Sequence, residues 1–191
     1  MAVVVKICGV RDLPTATLAL AAGADWVGVV LAPTRRRVDW NTAADIVRAH
    51  PGRIVAVVKD VPDDLFDRLW TLPWGGLQVY DRDPDAWIPR ARARGWLTIR
   101  PGRRAADRGG ADVLLLEPPE PGQGRPLDWE AVPAPDRPFW LAGGLRPDNV
   151  RRALAALNPD GVDVSSGVER DGHKDPALIR LFIEEVKAWR A

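Results

Sequence analysis

Short apolar runs rich in valine, isoleucine and leucine recur along almost the whole chain, each followed by a longer stretch of different periodicity. Eight of them stand out: 3–8 (VVVKIC), 25–31 (DWVGVVL), 53–59 (RIVAVVK), 76–80 (GLQVY), 96–100 (WLTIR), 112–117 (DVLLLE), 138–142 (PFWLA) and 161–165 (GVDVS). Most are nearly continuous in apolar character, the pattern of parallel strands covered on both faces. The stretches between them carry helix signals. Residues 12–22 offer Asp12 as a cap, Pro14 in the first turn and Gly23 as a stop. Residues 40–49 gather Ala43, Ile46 and Val47 on one side, and 62–71 and 83–94 open with proline and acidic residues that suit a helix N-terminus. The clearest is 176–189, where Leu178, Ile179, Phe182, Ile183, Val186 and Trp189 form one apolar stripe.

A βα unit repeated eight times predicts one (β/α)8 barrel domain over residues 1–191, with an open doubly wound sheet as the second possibility. A chain of 191 residues is lean for a barrel, so one or more helices must be short or missing. The segment after the sixth strand, 118–127 (PPEPGQGRPL), cannot be a regular helix because of its prolines and glycines.

Composition removes several function classes. A formal net charge of +1 leaves no electrostatic footprint for nucleic acid or a membrane surface. The single cysteine, Cys8, cannot close an internal disulfide, and with two histidines it makes a poor zinc set, so no metal is expected. The N-terminal residues lack a secretion signal, and no apolar run approaches the roughly 20 residues that span a bilayer. A reducing cytoplasmic setting is the expectation.

Barrels of this kind carry their chemistry at the C-terminal ends of the strands. That position selects Cys8, Arg35, Arg36, Arg37, Gln78, Arg100, Glu117, Gly143, Gly144, Asp163, Ser165 and Ser166. The most specific stretches follow strands seven and eight. LAGGLRPDNV is a Gly-Gly turn leading into a helix whose first turn is read as Arg146-Pro147-Asp148, and VDVSSGVERDGHKD contains a Ser-Ser-Gly turn. Glycine-rich turns let backbone N–H groups approach an anion, and these two loops are where barrels often hold phosphate. The same glycines are also explained by tight turns alone. Cys8 admits two readings, a small buried side chain or a working thiol. His50 falls at a helix end and His173 in a loop, so a Cys–His nucleophile has no partner, and a working Cys8 would accept a proton. Glu117 closes an apolar strand, where lost hydration would raise its pKa and keep a transferable proton; a solvated loop carboxylate is the alternative.

Together these segments resemble phosphoribosylanthranilate isomerase, the small (β/α)8 family of tryptophan biosynthesis. VKICGVRD (5–12), GADWVGVVLAPTRRRV (23–38), DVLLLEPPEPGQGRPLDWE (112–130) and the pair LAGGLRPDNV and GVDVSSGVERDGHKD carry the likeness over nearly the whole chain. The resemblance implies an Amadori rearrangement of an N-(5-phosphoribosyl)arylamine without cofactor, on a small phosphosugar substrate, by a monomer or homodimer. It puts Cys8 on the general base and Arg36 on the arginine that receives the anthranilate carboxylate. It puts Gly143, Gly144, Ser166 and Gly167 on the phosphate loops, with Asp163 and Gln78 as further substrate-binding residues. Glu117 stands where the family's catalytic Asp is expected, Tyr80 where His is expected, and Thr34 and Arg35 where Ser and Pro are usual. Gly122-Gln123-Gly124-Arg125 replaces a Gly-Gly-Thr/Ser-Gly-Lys loop. A relative isomerising another N-glycosyl phosphate and a phosphosugar-binding barrel without catalysis are the alternative functions.

Overall fold

Eight parallel strands pair in chain order: β1 (Val4–Cys8), β2 (Trp26–Val30), β3 (Ile54–Val58), β4 (Gly76–Val79), β5 (Leu97–Gly102), β6 (Val113–Leu116), β7 (Phe139–Ala142) and β8 (Gly161–Val164). β1 also pairs with β8, in the register Val4↔Gly161 to Ile7↔Val164, so the sheet closes into a barrel and the open-sheet alternative is excluded. The computed structural model describes residues 2–60, 67–80, 86–118, 129, 132, 134–135 and 138–189. Among these, no helix is long and apolar enough to cross a membrane.

The apolar runs coincide with the strands to within two residues at either end. Their crossovers are α1 (Leu13–Ala21), α2 (Trp40–Ala49), α3 (Ile88–Arg92), α4 (Val150–Leu157) and α5 (Pro176–Lys187). Asp12 caps α1 by accepting from the Thr15 N–H, Asp39 caps α2 through Thr42, and Asp175 caps α5 through Ala177 and Leu178. The lean length shows in the five residues of α3 and in a single 3-10 turn, Ala105–Arg108, after β5. The helix expected at 62–71 is seen at 67–69, and the rest of its first half lies outside the described residues, as does 119–128 of the proline-rich loop. One boundary is corrected: α4 begins at Val150, with Asn149 at its cap, so Arg146-Pro147-Asp148 forms a turn ahead of the helix. Asn149 makes that turn by accepting from the Arg146 N–H and donating to the Gly144 carbonyl.

Strand parity sorts the side chains. Val113 and Leu115 point into the barrel with Val55, Ile99, Trp140 and Ala142, whereas Leu114 and Leu116 join the layer beneath the helices. The same alternation puts Val5 and Ile7 outward, leaving Lys6 and Cys8 on the inward parity of β1. Gln78 and Tyr80, Glu117, and Asp163 and Ser165 share that parity at the ends of β4, β6 and β8. Ile179, Phe182, Ile183 and Val186 of α5 are buried against the outer face. Phe182→Ala should therefore lower stability by about 3–5 kcal/mol, read as a lower urea midpoint at unchanged slope.

Candidate active site

The inward-facing strand ends line a cavity of about 580 Å³ at the C-terminal mouth of the barrel. Cys8, Arg35, Arg36, Gln78, Glu117, Gly143, Gly144, Asp163, Ser165 and Ser166 all border it, as expected from their positions. Arg100 does not; it lines a separate depression with Arg103 and Arg104. Gly167 is not among the lining residues either. A Cβ there would collide with the Leu145 carbonyl, so glycine at this point lets the loops after β7 and β8 touch. Gly143 and Gly144 have φ of 88° and 64°, a pair of left-handed residues that brings bare backbone to the cavity wall.

Lys6 has no exposed surface, and its Nζ donates to Asp163 Oδ2 and to Gln78 Oε1, both at 2.8 Å. Gln78 Nε2 donates to Tyr80 Oη at 3.0 Å, and Tyr80 donates to Glu117 Oε2 at 2.9 Å. A polar row thus crosses the barrel from β8 to β6. Lys6 also stands beside the thiol: a Cβ at Gly28 would lie 2.8 Å from Cys8 Sγ and 3.1 Å from Lys6 Nζ, so only glycine leaves room for both.

Each titratable group answers to its own surroundings. Burial pushes the Cys8 thiol up, while Lys6 and Lys174 pull it down and Asp163 adds to the rise. Burial would lower Lys6, but Asp163 and Cys8 hold it above its ordinary value, as an ammonium. Glu117 is pushed up to about 7, chiefly by burial and further by Asp163, against the opposing hydrogen bond from Tyr80. It can therefore carry a proton near neutral pH. Asp163 Oδ1 is buried and has no hydrogen-bond partner among the described residues, which leaves an acceptor at the cavity.

Arg36 is held from one side. Its Nε and Nη2 donate to Glu169 Oε1 and Oε2 at 2.6 and 3.0 Å, and Glu169 also receives Lys174 Nζ at 2.9 Å. Burial pushes Glu169 up, but Arg36 and Lys174 outweigh it and hold the carboxyl at about 2. Lys174 comes from a small hairpin, β9 (Glu169–Arg170) with β10 (His173–Lys174), so His173 sits in a strand rather than a loop. Lys174 reaches back to the Ser165 carbonyl at 2.8 Å, and Ser165 donates to the Cys8 carbonyl at 3.0 Å.

Lys6, Glu169 and Lys174 are not among the strand-end candidates of the sequence. Lys6 left a signal, as the one charge inside the first apolar run and two residues from Cys8 on the same parity. Glu169 and Lys174 left none beyond membership of the loop after strand eight.

Fold and site together define a class: a (β/α)8 barrel whose mouth sets a thiol on β1 and a carboxyl raised to about 7 after β6 around one cavity, the equipment of an acid–base enzyme. The family follows from comparison. The model of the N-(5'-phosphoribosyl)anthranilate isomerase family matches residues 5–185, and the chain belongs to that family. It is 40% identical over 196 residues to N-(5'-phosphoribosyl)anthranilate isomerase of Desulforudis audaxviator, covering 94% of this chain and 96% of that one. Among solved structures, the phosphoribosyl anthranilate isomerase of Thermus thermophilus superposes with a TM-score of 0.82 at 31% identity, over 98% of this chain and all of the other. A second isomerase, in complex with reduced 1-(o-carboxyphenylamino)-1-deoxyribulose 5-phosphate, matches at a TM-score of 0.76 and 29% identity over 98% of this chain and 100% of that one.

The depressed Glu169 has a consequence for stability. Its folded pKa lies below the ordinary carboxylate value, so its contribution is present above about pH 4.5 and fades as pH falls towards 2. Glu169→Gln should be destabilised by on the order of 2–3 kcal/mol at pH 6, with the gap to the parent closing between about pH 4.5 and 2 in parallel urea titrations.

Proposed function

We propose that Glu117 and Cys8 are the acid and base with which this isomerase rearranges N-(5'-phosphoribosyl)anthranilate to 1-(2-carboxyphenylamino)-1-deoxyribulose 5-phosphate. The single observation that carries the assignment is that a buried carboxyl at about 7 and a thiol beside two ammonium groups border one cavity. Neutral Glu117 gives its proton to the ribose ring oxygen as the C1–O bond breaks. The anilino nitrogen lone pair then forms C1=N, an iminium. Cys8 as thiolate takes the C2 proton; the C–H electron pair becomes C1=C2, and the iminium π pair returns to nitrogen. The resulting enolamine tautomerises to the ketone by gaining a proton at C1 and losing the C2 hydroxyl proton. Acid and base need opposite protonation states: burial keeps the proton on Glu117, while at Cys8 the burial that raises the thiol is opposed by the Lys6 and Lys174 charges, which favour the thiolate.

Binding falls to the rest of the mouth. Glu169 takes the Nε/Nη2 edge of Arg36, leaving Nη1 without a partner among the described residues, a fit for the anthranilate carboxylate. Gly143 and Gly144 with Ser166 offer backbone to the phosphate, and Gly167 holds their two loops together. Asp163 Oδ1 is placed to accept from a sugar hydroxyl. Gln78 has both ends engaged and acts on the substrate by orienting Tyr80. Remote phosphate binding is then available to orient the reacting carbon atoms.

Mixing the purified protein with freshly generated phosphoribosylanthranilate should discharge its fluorescence. Cys8→Ala should lower kcat by about 10²–10⁴-fold with KM nearly unchanged; turnover near that of the parent would refute the base assignment. Glu117→Gln should lose activity on the same scale and gain stability. The raised Glu117 favours the fold below about pH 4.5 and loses that advantage as pH rises through about 7. The Gln variant should thus be more stable than the parent by on the order of 1–3 kcal/mol at pH 8 and equal to it at pH 4.

A further inference from the structure

Donor and acceptor capacity gives the row Lys6–Gln78–Tyr80–Glu117 a direction. An ammonium has only donors, so the Gln78 atom 2.8 Å from Lys6 Nζ is the amide oxygen. The Gln78 NH2 group therefore faces Tyr80 Oη and donates to it at 3.0 Å. A phenol has one proton, and here it is left to point at Glu117 Oε2, 2.9 Å away. Oε2 must accept, so a neutral Glu117 carries its own proton on Oε1. Among the described residues nothing bonds to Oε1, and Glu117 borders the cavity. Reversing the row would set an amide N–H against the buried ammonium of Lys6.

We propose that Tyr80 is a positioning residue for the acid: its hydroxyl fixes the Glu117 proton on Oε1 and strengthens its bond to Oε2 as that proton leaves. This rests on the reading of Glu117 as the acid. A hydrogen bond to a carboxylate is roughly twice as strong as one to a neutral acid. The Tyr80 bond therefore grows along the proton transfer, and an interaction that is stronger in the transition state raises kcat rather than lowering KM. The other charged groups acting on Glu117 are Asp163 from β8, Lys6 from β1 and Arg103 from the loop after β5. Asp163 favours the protonated form and the two cations favour the carboxylate, so Tyr80 acts with the cations.

Tyr80→Phe removes the hydroxyl and keeps the ring. With phosphoribosylanthranilate as substrate, kcat should fall by roughly 10–100-fold, the effect of one charge-assisted hydrogen bond, with KM within about threefold. The alkaline limb of kcat should move to higher pH, because the carboxylate has lost a donor. Glu117→Asp withdraws the carboxyl from Tyr80 by about a bond length, so in that background Tyr80→Phe should change kcat by less than about threefold. Equal losses in both backgrounds with an unmoved alkaline limb would make Tyr80 a space-filler and overturn the proposal. If Glu117→Gln is inactive while Tyr80→Phe keeps the parental kcat and pH profile, the role of Tyr80 alone falls. If Glu117→Gln keeps the parental kcat, the acid assignment itself falls.

Discussion

An ammonium without exposed surface lies on the floor of the barrel mouth, and the polar architecture around it follows from that one charge. Desolvating an ion costs several kcal/mol even after relaxation, unless neighbours satisfy it. Lys6 is satisfied by Asp163 and Gln78, each at 2.8 Å. The pairing Lys6↔Asp163 is built into the β1–β8 register, so closing the barrel and neutralising the lysine are one event. Gln78, thus oriented, orients Tyr80 in turn. The geometry at Glu117 is set from the opposite wall.

The same field separates three carboxyl groups that would titrate together in water. Glu169 lies between Arg36 and Lys174 and stays ionised. Asp163 is drawn upward by burial and held back by direct contact with Lys6. Glu117 is buried too, but its bonded neighbour is a neutral phenol rather than a cation, and it is left at about 7. What differs among the described residues is the number of cations in contact: Arg35, Arg36 and Lys174 at Glu169, Lys6 alone at Asp163 and none at Glu117. A strand-end glutamate becomes a proton carrier here through what its neighbours lack.

Much of this was legible in the sequence because parallel barrel strands are buried on both faces. Their apolar runs are then nearly uninterrupted, and the eight strands emerge with small boundary shifts. The candidate residues at strand ends emerged too, since position along a strand is a one-dimensional property. What stayed hidden depends on distance across the fold. Nothing local says that Lys6 meets a carboxylate 157 residues away, or that Glu169 turns back 133 residues to grip Arg36. Tyr80 could be seen as a departure from the resembled pattern, but its bond to Glu117 could not. The start of α4 was misplaced for a local reason: Arg146-Pro147-Asp148 has the composition of a first helical turn, yet the Asn149 side chain caps that turn before the helix begins.

Among the described residues the helical cover is uneven. Among the described residues, α1, α2, α4 and α5 back the sector from β7 through β8 and β1 to β2, and α1 packs against both α2 and α5. That sector carries Cys8, Arg36, Asp163 and the Gly143–Gly144 turn, which border the cavity. Glu117 belongs to the other sector, where the described cover is the helical residues 67–69, the five residues of α3 and the 3-10 turn after β5. Glu117 is held there by a bond made inside the barrel, from Tyr80. The row from Lys6 to Glu117 crosses between the two sectors, tying β4 and β6 to β1 through three hydrogen bonds, and the bond from Lys6 to Asp163 adds β8. A polar chain anchored on a buried charge thus fixes Glu117 from across the barrel.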